Sequence, residues 1–156
     1  MKRNQEEPAD STAATDSGAV SSRLGAVLRS RPEVVFAYQY GSTVGQNHNA
    51  LSDLDVAAYL DPETLRRLDG PLAELHMWTD LQGDMEEAFP GIDVDLVLLH
   101  RAPPLLSERI LRHGRLLLSR DEALRLRWTV ETKSRYCDLA PLRRTLNRAL
   151  EDRIRA

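Results

Sequence analysis

The chain has 156 residues, 42% of them hydrophobic and 29% charged, enough for one ordinary domain with a real core. Its 21 Lys and Arg against 24 Asp and Glu give a formal net charge of -3, which excludes a global basic field able to hold a long nucleic acid by its phosphates. The single cysteine, Cys137, excludes an internal disulfide and reads as an inert, half-buried thiol.

Residues 1–16 are polar and rich in Ser, Thr, Asp and Glu, so they read as a disordered lead, and residues 17–156 as a single domain. The N-terminal stretch has no apolar signal-peptide core, and no later run is long and apolar enough to cross a bilayer, so the expectation is a cytoplasmic protein without a membrane partner. Ser17 can cap a helix carrying Val20, Leu24, Val27 and Leu28 at helical spacing and ended by Pro32. VVFAYQY, stopped by Gly41, reads as a strand, and Leu54 to Leu60 as a second. Asp61 and Pro62 open a helix. Leu75, Trp78, Leu81 and Met85 then form one stripe, expected to be core.

IDVDLVLL is a third strand, dense enough in apolar residues to be buried on at least one face. A helix after Pro104 should stop at Gly114, and RLLLS reads as a short edge strand. The arginines from Arg101 to Arg127 read as a mainly solvated face. From Asp121 the chain is helical with a restart near Pro141. The series Leu139, Leu142, Leu146, Leu150 and Ile154 makes an apolar face that must bury against the domain's own sheet or against a partner.

The chemistry concentrates in GSTVGQNHNALSDLD, where one strand ends at Gly41 and Ser42 and the next begins around Asp53 and Asp55. Side chains two apart on a strand share a face, so both carboxylates can aim at one place, one suited to hard, oxygen-seeking Mg²⁺. Gly41 permits close backbone approach, and Ser42 offers a hydroxyl and backbone N–H groups to a phosphate. A two-metal site needs a third carboxylate, and Asp93 and Asp95 both qualify because they also share a face. Asp95 lies in an otherwise apolar strand, where an acid is costly without a metal or partner, whereas Asp93 belongs to the exposed strand start. A Gly-Ser pair with Asp-x-Asp at this fixed distance arises by chance in on the order of one in a thousand chains of this size.

Other chemistries find no footing. His48, His76, His100 and His113 show no zinc spacing, and His48 reads as a solvated loop residue. Ser42 sits in no GxSxG elbow, and there is no GxxxxGK[ST] loop.

The pattern GSx10DxD from Gly41 to Asp55, followed by an aspartate in a later strand, resembles the signature of the DNA polymerase beta nucleotidyltransferase superfamily. With the downstream HRAPPLLSERILRHGRLLL and RDEALRLRWTVETKSRYCDLAPLRR, the chain over roughly residues 20–145 is similar to the minimal nucleotidyltransferase (MNT) antitoxins of HEPN/MNT toxin-antitoxin pairs. In place of the basic residue that members often carry soon after Gly-Ser, Thr43 and Val44 follow. The resemblance implies a mixed α/β nucleotidyltransferase fold, a mixed β-sheet flanked by helices with a long C-terminal helical segment. It further implies that Gly41 and Ser42 bind the triphosphate of ATP and that Asp53, Asp55 and Asp95 are the catalytic residues and hold two Mg²⁺ ions, with Mn²⁺ as a substitute. By the same resemblance, AMP goes to a tyrosine of a cognate HEPN ribonuclease toxin, which neutralises it. Two alternatives use the same residues differently. An antibiotic adenylyltransferase would employ the same three aspartates, but the short chain after Asp95 leaves little for a substrate-binding domain, and an antitoxin acting by binding alone would have no use for intact acids.

Overall fold

The computed structural model describes residues 17–41, 53–68 and 72–155. The expected disordered lead, and with it Ser42 and His48, lie outside the described residues. The elements run α1 (Ser17–Ser30), β1 (Val34–Tyr40), β2 (Leu54–Leu60), α2 (Pro62–Arg67), α3 (Ala73–Ala88), β3 (Val94–Leu98), α4 (Pro104–His113), β4 (Arg115–Ser119), α5 (Glu122–Asp138) and α6 (Ala140–Arg155). Among the described residues the strands form one mixed sheet in the order β3-β2-β1-β4. β1 is antiparallel to both β2 and β4, and β3 runs parallel to β2. RLLLS is the edge strand expected. α2 begins as the sequence indicates, with the Asp61 carboxylate accepting from the backbone N–H of Glu63 and Thr64.

Alternation along the strands splits the core in two, one cluster on each face of the sheet. On one face Val20, Leu24 and Leu28 of α1 and Leu81 and Met85 of α3 pack on Leu54, Val56, Ala58, Leu60, Val94, Leu96 and Leu98. On the other, Ile110 of α4 and Trp128 of α5 pack on Phe36, Tyr38, Tyr40 and Ala57. The Phe36 ring stacks on Tyr59 at 4.5 Å and meets Trp128 at 5.4 Å, an aromatic centre that fastens α5 to β1 and β2. The result is a sheet between two helical layers, the mixed α+β fold expected.

Several expectations are corrected. The stripe on α3 is core only in part: Leu81 and Met85 are buried, Trp78 is half-buried and donates from Nε1 to the Leu96 carbonyl at 2.8 Å, and Leu75 is exposed. It lines a shallow pocket of about 290 Å³ with Glu74, Trp78, Leu98 and Arg101. The reason is geometric, since a helix laid on an edge strand turns its outer flank to solvent. Cys137 is exposed rather than half-buried, because it follows the outer flank of α5. The arginines are not simply a solvated face either: Arg120 donates to the carbonyls of Val34 at 3.0 Å and Arg29 at 2.8 Å, and Arg125 to the Tyr38 hydroxyl at 2.9 Å.

Gly114 does end α4, but not by adopting left-handed backbone; its φ is -75°. A Cβ there would lie 2.5 Å from the Ile110 carbonyl oxygen and 3.1 Å from that of Gln39. Glycine is needed because helix end and strand approach too closely for a side chain. That contact seats α4 beside the far end of β1, next to the carboxylates.

Candidate active site

β1 ends and β2 begins at one end of the sheet, and their antiparallel register sets Tyr40 opposite Asp55. The parallel register of β2 with β3 sets Asp55 opposite Asp95, and the Leu54 N–H donates to the Asp93 carbonyl at 2.8 Å. Asp55 lies two residues before Ala57 and Tyr40 two after Tyr38, so both fall on the sheet face covered by α4 and α5. Asp95 shares that face, two residues before Val97, which packs against the same cluster. The chain therefore gathers acids from two strands at one sheet corner.

Gly41 closes that corner. Its φ is +77°, and a Cβ built on it would run into the Asp55 carboxylate, so only glycine lets the backbone turn there against the acid. This close approach is the physical content of the Gly-Ser signature at its first residue.

Electrostatics identify the same group of residues. Burial, then Asp95, then Asp53 push the Asp55 carboxyl above its ordinary value, while Arg109 pulls it back. Burial pushes the Tyr40 phenol up to about 12, helped by the charges of Asp55 and Asp95 and opposed by Arg109. Asp93 enters neither balance. Asp53 and Asp95 are exposed and Asp55 is half-buried, so the acids form an open rim. The expectation of a costly buried Asp95 is corrected by its place on an edge strand, where its side chain reaches water.

These residues fit a divalent-cation site. The donors are hard carboxylates, two of them in register on adjacent strands, and a glycine leaves room for the Asp55 carboxylate. Among the described residues no three such ligands already converge to coordination distance.

Tyr40 and Arg109 escape a sequence reading. Tyr40 could have been found by carrying the alternation of β1 to its last residue. Arg109 has no such signal, because one arginine among many is singled out only by the packing of α4 beside β1.

The polymerase beta nucleotidyltransferase family model ("Polymerase beta, Nucleotidyltransferase") matches residues 23–123, more than half of the chain. Among solved structures, a toxin-antitoxin structure with AMP-PNP is 25% identical, with a TM-score of 0.62, covering 87% of this chain and 98% of that one. A structure of the toxin-antitoxin MntA-HepT is 23% identical with a TM-score of 0.59, covering 89% and 99%. A complex of a tri-AMPylated Shewanella oneidensis HEPN toxin with an MNT antitoxin is 21% identical with a TM-score of 0.57, covering 90% and 99%. No curated protein matches the chain.

Proposed function

The chain belongs to the polymerase beta nucleotidyltransferase family, and from that premise we propose that it is a minimal nucleotidyltransferase antitoxin. It transfers AMP from ATP to a tyrosine of a cognate HEPN ribonuclease toxin and thereby neutralises it in the cytoplasm. One observation carries the reading: Asp55 and Asp95 stand in register on adjacent strands, with Asp53 beside them and Gly41 turned against the Asp55 carboxylate. The likeness to a toxin-antitoxin structure holding an ATP analogue, and to a complex whose HEPN toxin is AMPylated, supports the choice of nucleotide and acceptor.

Asp53, Asp55 and Asp95 would hold two Mg²⁺ ions, or Mn²⁺, which when bound would lower the pKa of the attacking hydroxyl and neutralise the triphosphate around the displacement at the α-phosphorus. The chain's own residues do the rest. Gly41, where no Cβ obstructs approach, would offer its backbone to the triphosphate, and Ser42, next in sequence, would add a hydroxyl and an N–H group. Arg109 adds a fixed positive charge beside the acids, suited to the phosphates or to the pyrophosphate as it leaves. Tyr40, whose phenol burial foremost pushes up to about 12, lines the site as a neutral hydroxyl.

The test is label transfer. Incubated with Mg²⁺, the HEPN protein and ATP labelled at the α-phosphate, the chain should pass label to the HEPN protein, and ATP labelled at the γ-phosphate should pass none. Transfer of γ-label, or label on an added aminoglycoside and none on the HEPN protein, would sink this function.

A further inference from the structure

The C-terminal helix α6 leaves its apolar residues in water. Leu142 is 56% exposed, Leu146 53%, Leu150 56% and Ile154 84%, although they recur every fourth residue on one side of the helix. The body of the molecule meets α6 chiefly through α5, and the junction is fixed by Arg143, whose guanidinium stacks on the Tyr136 ring at 3.6 Å and donates to the Tyr136 carbonyl at 2.6 Å. A fixed junction presents the seam in one direction. The domain's own sheet does not cover it.

The charge around the seam says what can. Steps of four residues drift by roughly 40° each around the helix, so Leu142 to Ile154 sweep one sector. Helical spacing places Arg143 and Arg153 in that sector, and Glu151 and Asp152 behind it. The seam is apolar with positive charge alone along it. A second copy is a poor occupant: paired antiparallel about the middle of the seam, Arg143 of each chain faces Arg153 of the other. Paired parallel, each faces its own copy, and both registers set like charges together.

We propose that this face is the docking surface for the protein acceptor, and that the acceptor meets it with an apolar groove rimmed by carboxylates. The inference rests on the protein-acceptor reading above and adds where, and by what chemistry, the acceptor is held. An amphipathic helix in a groove uses side chains at this spacing as anchors, and Arg153 sets register and encounter rate.

The test uses the full chain carrying Leu146→Glu with Leu150→Glu, and separately Arg153→Glu, titrated against the purified cognate HEPN protein at low and high salt. Both variants alter exposed residues, so thermal melts should match the unaltered protein. The double variant should lose on the order of a hundredfold in affinity. Arg153→Glu should lose about tenfold at low salt and show a weaker salt dependence. In transfer assays both should raise the KM for the HEPN protein and leave kcat and ATP binding in place. Variants that bind and modify the HEPN protein as the unaltered chain does would overturn the assignment. So would a dimer in solution that the double variant dissolves, since the occupant would then be a second copy. Binding that depends on α6 without any transfer would leave the surface standing and sink the transferase reading instead. Transfer indifferent to α6 would do the reverse.

Discussion

Gly41 and the three acids make demands that single substitutions can separate. Alanine at position 41 must carry a φ of +77° and place its Cβ against the Asp55 carboxylate. We expect Gly41→Ala to cost about 1–3 kcal/mol of stability by chemical denaturation, and to lower transfer by about 10²-fold through displacement of Asp55. A variant with full activity would mean that Asp55 need not sit where it does. Asp95→Asn should cost far more activity than Asp93→Asn, because Asp95 stands opposite Asp55 while Asp93 enters the charge balance of neither Asp55 nor Tyr40. Equal losses would make both ligands, and a loss at Asp93 alone would end the assignment of Asp95. The chain signals that one of the two acids matters, since a carboxylate in an apolar strand is conspicuous. Which one it is depends on the parallel register of β2 with β3, a pairing between segments far apart in sequence that alternation within one strand cannot encode.

Among the elements, strands β1, β2 and β3 are legible from their dense β-branched, aromatic and apolar residues, and α6 from its four-residue repeat. What surrounds an element is less so. The repeat on α6 would look the same packed on a sheet, and only the exposed seam separates the two outcomes. Removing residues 145–156 should therefore leave the thermal midpoint nearly unchanged, and a large fall would restore the seam to the core. α3 carries a different tie. Glu74 accepts from Arg101 at 2.8 and 2.9 Å and lies 3.2 Å from His100 Nε2, and Arg101 foremost holds its carboxyl down at about 2. A carboxyl held below its unfolded value contributes stability that is present above the ordinary value of 4.5 and is lost as pH falls toward about 2. Glu74→Gln should thus destabilise the protein at neutral pH by about 1 kcal/mol, a figure discounted because Arg101 is largely in water. The difference should vanish in melts taken near the bottom of that range.

Across the whole molecule, two helical layers fix the sheet so that strand ends, which could otherwise fray, converge on one corner with a glycine turned against an acid. The sheet supplies aim, α4 supplies a cation, and on our account α6 supplies the grip on the acceptor. On that account each part needs the others, because acids that would hold the metal ions serve only when the acceptor hydroxyl is delivered to them. The most direct measurement of this account is the intact mass of the cognate HEPN protein after incubation with this chain, ATP and Mg²⁺. The same incubation is run with Asp53→Ala, with Asp55→Ala, and with a chelator. We predict that the HEPN protein gains mass in whole AMP units on tyrosine with the unaltered chain, and gains none in the other three, while both variants melt no lower than the unaltered protein. An unmodified HEPN protein beside a folded, ATP-binding chain, or full modification by either aspartate variant, would contradict it.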